Sequence, residues 1–180
     1  MDAWILARVG ITVWSVVMIL VLMGVSGSGK TTIGKLLAER MGVIFADADD
    51  YHLAASKLKM ASGHPLNDED RAPWLASLNL LLRNWEQQGI SGVLACSALE
   101  ERSREVLEEG IPRTHIEFIF LDIPRDVIAG RLRTRTHPFM NSQLLDSQLT
   151  TLQPPIDALH IINDRLPEEI VDQILLHIAA

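Results

Sequence analysis

The sequence predicts an α/β fold: a three-layer αβα sandwich with a five-stranded parallel sheet at its centre. Three observations predict it. Short apolar runs alternate with helical patterns along the chain. The first of these runs, residues 18–23, is apolar at every position, as a strand covered on both faces must be. A glycine-rich octet then joins that run directly to a helical pattern, the strand–loop–helix order of a phosphate-binding unit. With 180 residues the chain is long enough for one well-packed core. No repeat, low-complexity segment or long linker divides it, so one domain over residues 18–180 is expected.

Residues 3–25 carry a single charge, Arg8. A membrane anchor needs about 20 apolar residues. The last six of this stretch, however, are required by the first strand, and the remainder is broken by Arg8 and Gly10. A transit peptide should be rich in Arg and Ser, which this segment is not. The preferred reading is that residues 1–17 are an appendage ahead of a natural start at Met18; a packed extra helix and an anchor are the alternatives.

The octet Gly24-Val25-Ser26-Gly27-Ser28-Gly29-Lys30-Thr31 follows the first strand and satisfies G-x-x-x-x-G-K-[ST]. Its glycines allow a tight turn with N–H groups aimed inward at a polyphosphate. Lys30 supplies positive charge to the β- and γ-phosphates, and the Thr31 hydroxyl suits Mg²⁺. The helix behind it buries Ile33, Leu36, Leu37 and Met41 and closes at Gly42. Further strands are expected at 43–46, 92–96, 116–121 and 160–162.

A long helix is expected over 70–88. Trp74, Leu75, Leu78, Leu81, Leu82 and Trp85 form its apolar stripe, Pro73 fits its first turn, and Gly89 ends it. Ser97-Ala98-Leu99-Glu100 reads as a capping box for the helix after the third strand. Helices are also expected from Pro124 to about residue 134, from Asn141 to about 151, and from Pro167 to about 178.

Composition narrows the partners. The net charge is −7 with no basic block, so nucleic acid is not expected. One cysteine, Cys96, excludes an internal disulfide framework and suits a reducing compartment.

Asp47 and Asp49 stand at the carboxyl end of the second strand, the edge where such sheets bind ligands. In extended chain, residues i and i+2 share a side. Asp47 is then expected on the metal side and Asp49 as acceptor of the attacking hydroxyl's proton; an acidic turn capping the next helix is the alternative. His52 is either a packed histidine or a ligand. Arg71 at a helix start opposes the macrodipole. It either grips a substrate carboxylate or forms a salt bridge with Asp68 or Asp70. Arg131, Arg133 and Arg135 either close over nucleotide phosphates or decorate a helix C-terminus.

Taken together, these strings resemble the small gluconokinases of the phosphate-loop kinase superfamily, relatives of shikimate and adenylate kinases. The resemblance rests on the octet, Asp47-Ala48-Asp49-Asp50-Tyr51-His52, Lys59-Met60-Ala61-Ser62-Gly63, Pro65-Leu66-Asn67-Asp68, Asp70-Arg71, Pro73-Trp74-Leu75 and Cys96-Ser97-Ala98-Leu99. It covers the chain from about Met18 onward. It implies transfer of phosphate from ATP, with Mg²⁺, to the 6-hydroxyl of D-gluconate by a cytoplasmic homodimer with no membrane association. It also implies a small helical lid at about 131–142.

On this resemblance Lys30, Asp49 and Arg131 are the catalytic residues. The nucleotide is held by Gly24, Val25, Ser26, Gly27, Ser28, Gly29, Lys30, Thr31, Thr32, Arg131 and Arg135. The sugar acid meets Asp49, His52, Arg71, Ser97 and Arg104, and the metal meets Thr31 and Asp47. The chain departs from the family pattern at Leu53, Ser56, Ser103, Thr150 and the lid string His137-Pro138-Phe139. It departs most at Glu100 and Glu101, where the family carries two lysines. Glu100 either faces the pocket or caps its own helix. Two other functions are kept open: a kinase for another small polyhydroxy acid, and a nucleotide-binding paralogue without catalysis.

Overall fold

The computed structural model describes residues 16–124, 127–128 and 142–179. In chain order the elements are β1 (Ile19–Met23), α1 (Lys30–Met41), β2 (Ile44–Asp47), a 3-10 turn (Ala48–Tyr51), α2 (Ala54–Ala61) and α3 (Asp68–Gln87). There follow β3 (Gly92–Ala95), α4 (Glu101–Glu108), β4 (Ile116–Asp122), α5 (Ser142–Thr151), β5 (Leu159–Ile162) and α6 (Pro167–Ile178). The strands form one parallel sheet in the order β2-β3-β1-β4-β5. Each lies within one residue of its expected bounds; the inner strands β3, β1 and β4 are largely buried on both faces, and β2 and β5 are part-exposed edges.

The strand period of two separates the layers. Ile19, Val21 and Met23 face Trp74, Leu78, Leu82 and Trp85 of α3 and Leu107 of α4. Leu20 and Leu22 face Ile33 and Leu37 of α1 and Ile170, Val171 and Ile174 of α6. Burying each such aliphatic side chain contributes about 1.5–3 kcal/mol. A third cluster, Val25, Leu99, Ile123, Ile128 and Leu145, sits beyond the carboxyl ends of the strands and ties α5 to the loops there.

Packing between α3 and the sheet leaves no room at Gly92. A Cβ there would lie 2.7 Å and 2.9 Å from Trp85 ring atoms and 3.0 Å from Ile44. Gly92→Ala is therefore expected to cost about 1–3 kcal/mol by overpacking. A fall in the urea unfolding midpoint checks it; an unchanged midpoint would mean the Trp85 ring can yield.

Four expectations need correction. The long helix starts at Asp68, two residues early, with Asn67 as N-cap. Asn67 Oδ1 accepts from the Asp70 N–H and Asp70 Oδ2 accepts from the Asn67 N–H, each at 2.9 Å. Pro73 therefore falls in the second turn, where it leaves the Glu69 carbonyl without its helical donor. The α2 helix was not expected at all. Its only buried residue is Ser56 and Leu58 is 72% exposed, so no apolar stripe signals it. The capping box expected at Ser97–Glu100 does not form: Glu100 is itself the N-cap of α4, and its side chain makes no capping bond. Residues 1–15, Arg131, Arg133, Arg135, His137, Pro138, Phe139 and nearly all of the 131–142 lid lie outside the described residues. Among the described residues no helix is long and apolar enough to cross a membrane.

Candidate active site

The octet makes the turn between β1 and α1. Gly24 has φ 140° and Gly29 has φ 93°, both in the region that favours glycine. Space excludes a side chain at each as well. A Cβ would lie 2.8 Å from the Leu121 carbonyl at Gly24 and 2.8 Å from Asn163 Nδ2 at Gly29. The loop is braced from β5's end, where Asn163 Nδ2 donates to the Ser28 carbonyl at 2.5 Å. The first turn of α1 carries no acidic residue, and Gly29 provides no side-chain cap. Its free N–H groups and the helix dipole are thus left for an anion.

Lys30 Nζ donates to the carbonyls of Gly24 and Val25, at 2.9 Å each. Burial lowers its pKa from the ordinary value, while Asp49, Cys96 and Asp47 oppose that shift. Burial also pushes the Cys96 thiol up to about 12, so it stays protonated at neutral pH.

The acid pair reaches the same place. In the sheet register Asp47 is level with Ala95, which is level with Leu22, two residues before Gly24. The Thr31 hydroxyl donates to Asp47 Oδ2 at 2.8 Å. Asp49 is not on extended chain, as the i, i+2 argument assumed. The strand ends at Asp47, whose Oδ1 accepts from the Asp49 N–H at 3.1 Å and caps the 3-10 turn. Asp47 thus caps a turn and meets Thr31 with its two oxygens. The Asp49 side chain is 80% exposed and 3.9 Å from His52 Nε2. It is the carboxylate that acts most strongly on the Lys30 ammonium.

His52 is packed. Its ring stacks on Trp74 with centroids 4.4 Å apart, and the Trp74 Nε1–H donates to the Ala48 carbonyl. Burial lowers the His52 pKa, the Asp49 charge only partly opposing it; the ring is neutral at pH 7. Arg71 lies in the second turn of α3; its Nη2 donates to Asp68 Oδ1 at 2.8 Å and forms an ion pair with Glu100 Oε1 at 2.8 Å. The hydrogen bond from Arg71 holds the Asp68 carboxyl below its ordinary value. Arg104 is buried, and its Nη1 donates to the Ala98 and Leu99 carbonyls. It thereby braces Ala98, whose φ of 42° costs a non-glycine residue about 1–2 kcal/mol. The Ser97 carbonyl accepts from the Gly24 N–H at 3.2 Å, tying the β3 loop to the octet.

Two glutamines that sequence reasoning passed over hold these loops. Gln148 Oε1 of α5 accepts from the Ser26 N–H at 2.7 Å. Gln153 Oε1 accepts from the Glu101 N–H at 2.7 Å, giving α4 the cap that its own residues do not. A polar residue on a helix carries no local signal for a partner 122 positions away. Asn163 did carry one, as a polar residue directly after a strand at the ligand edge.

Among the described residues no cluster of three His, Cys, Asp or Glu side chains could by itself hold a metal ion. The Thr31–Asp47 pair does suit Mg²⁺, which takes one or two protein oxygens and completes its shell with phosphate and water. The arrangement combines an N–H-lined anion cradle, an ammonium at its mouth, a hydroxyl–carboxylate pair for a hard cation, and an exposed carboxylate beside them.

Comparisons with known proteins agree with this geometry. The shikimate kinase family model matches residues 26–179. A probable gluconokinase of Dictyostelium discoideum is 44% identical over 78% of this chain and 72% of its own length. The gluconokinase of Gluconobacter oxydans is 41% identical over 89% of this chain and 91% of its own. The crystal structure of a gluconokinase from Sinorhizobium meliloti superposes with a TM-score of 0.79 at 36% identity, covering 90% of this chain and 91% of that one.

Proposed function

From a chain that belongs to the gluconokinases, within the shikimate-kinase family of ATP-using phosphate-loop kinases, we propose that it transfers the γ-phosphoryl group of ATP to the 6-hydroxyl of D-gluconate. The observation that carries this reading is the convergence of the octet and the acid pair: Thr31 bonds to Asp47, and Asp49 and Asp47 both act on Lys30. The N–H groups at the start of α1 and Lys30 hold the triphosphate, and Lys30 offsets the charge that develops on the transferring group. Thr31 and Asp47 would hold Mg²⁺, which would neutralise phosphate charge there. Asp49, exposed beside the ammonium, takes the proton of the attacking hydroxyl. His52, neutral and stacked on Trp74, fixes the acceptor side, with Ser97 and the loop that Arg104 braces closing it. Arg71, on α3 beside Glu100, meets the acceptor's carboxylate.

Arg131 and Arg135 are proposed to complete the nucleotide grip from the lid segment. The buried single Cys96 supports a reducing, cytoplasmic setting, and the resemblance supports a homodimer. Residues 18–180 are read as one kinase domain.

The test is a coupled assay of ADP release with Mg·ATP, run with and without gluconate. Gluconate-dependent release yielding 6-phosphogluconate is expected. Preference for another sugar acid would move the substrate. Thermal stabilisation by ATP with no transfer to any acid would reduce the protein to a nucleotide binder.

A further inference from the structure

We propose that Glu100 sets the acceptor affinity of this enzyme by competing, from within the chain, for the arginine that receives the acceptor's carboxylate. The inference rests on the gluconate reading above.

Arg71 Nη2 lies between two carboxylates: it donates to Asp68 Oδ1 and is ion-paired with Glu100 Oε1, both at 2.8 Å. A guanidinium grips a carboxylate bidentately through Nη2 paired with either Nη1 or Nε. Both forks therefore use Nη2. An incoming carboxylate that forms either fork must share Nη2 with Asp68 and Glu100, which both lie 2.8 Å from it.

The two incumbents differ. Asp68 lies on Arg71's own helix, three residues back, with a side chain 73% exposed; such a contact exchanges readily with water. Glu100 comes from another element, and its side chain is 24% exposed. Its backbone is fixed as the N-cap of α4, with the Ser103 and Arg104 N–H groups on its carbonyl. A carboxylate in that position ordinarily turns back onto its own helix. This one crosses to α3 instead, and Gln153 caps α4 in its place. Arg71 thus meets the site already matched by two negative charges, so a monoanionic acceptor gains little from it until one of them leaves.

The competition has a signature. Glu100→Gln keeps the shape and removes the charge, so the amide holds Nη2 more weakly. The KM for gluconate is expected to fall about three- to tenfold, while kcat and the KM for ATP change less than twofold. Transfer to D-glucitol, the acceptor without the carboxylate, keeps its KM. Glu100→Asp, which retains the charge, should stay near the wild type, and calorimetric titration of gluconate should repeat the gain for Glu100→Gln without turnover. An unchanged or raised gluconate KM in Glu100→Gln would overturn the proposal, as would an equal gain for D-glucitol. A wild-type protein that does not phosphorylate gluconate would instead remove the reading on which it rests.

Discussion

Asp49→Asn is expected to lower gluconate-dependent turnover by roughly 10²- to 10⁴-fold, the range for loss of a positioned general base. Asparagine keeps the size of the side chain but cannot take the hydroxyl proton. The side chain is 80% exposed, so the fold should not notice the change. What anchors the turn is the backbone bond from the Asp49 N–H to Asp47, and asparagine retains it. ATP binding, followed by calorimetry or by thermal stabilisation, should therefore survive while kcat collapses. His52 does not rescue the variant, because burial lowers the basicity of its ring and it is 3.9 Å from the Asp49 carboxylate. Normal turnover in Asp49→Asn would remove Asp49 from the chemistry.

Lys30→Met is expected to cost about 10²–10³-fold in kcat, the scale of removing one preorganised donor from a developing charge. The length of the chain is preserved and only the ammonium is lost. The charge acts in a desolvated place, as its lowered pKa records, so it is worth more there than in water. The carbonyls of Gly24 and Val25, both buried residues, lose their donor. Stability should fall by about 1–3 kcal/mol, and affinity for ATP should fall together with rate. A Lys30→Met enzyme with full activity would mean that the octet is not the phosphate site.

The strands and the octet were legible because their causes are local. The continuous apolar run of β1, the glycines that alone tolerate φ near 90–140°, and the α1 stripe ending at Gly42 need no distant partner. Even so, the start of α3 differs from the expected one, and Pro73 lies in its second turn rather than its first. The reciprocal pair Asn67 and Asp70 sets the cap and starts the helix at Asp68, two residues before the expected bound. The α2 helix escaped because it buries almost nothing, and helices without an apolar face show no period.

The sequence by itself determined the parallel sheet, the phosphate loop and the edge on which ligands sit, since each follows from the side-chain period or backbone freedom of contiguous residues. Only the tertiary structure decided how the polar groups at that edge are paired. It placed Asp49 on a 3-10 turn and turned Glu100 from its own helix to Arg71. It spent Arg104 on the carbonyls beneath Ala98 and called Gln148 and Gln153 across to the Ser26 and Glu101 amides. A hydrogen bond depends on which chain segments meet in space. Where several donors and acceptors are chemically equal, only the packed layers beneath them select the partner.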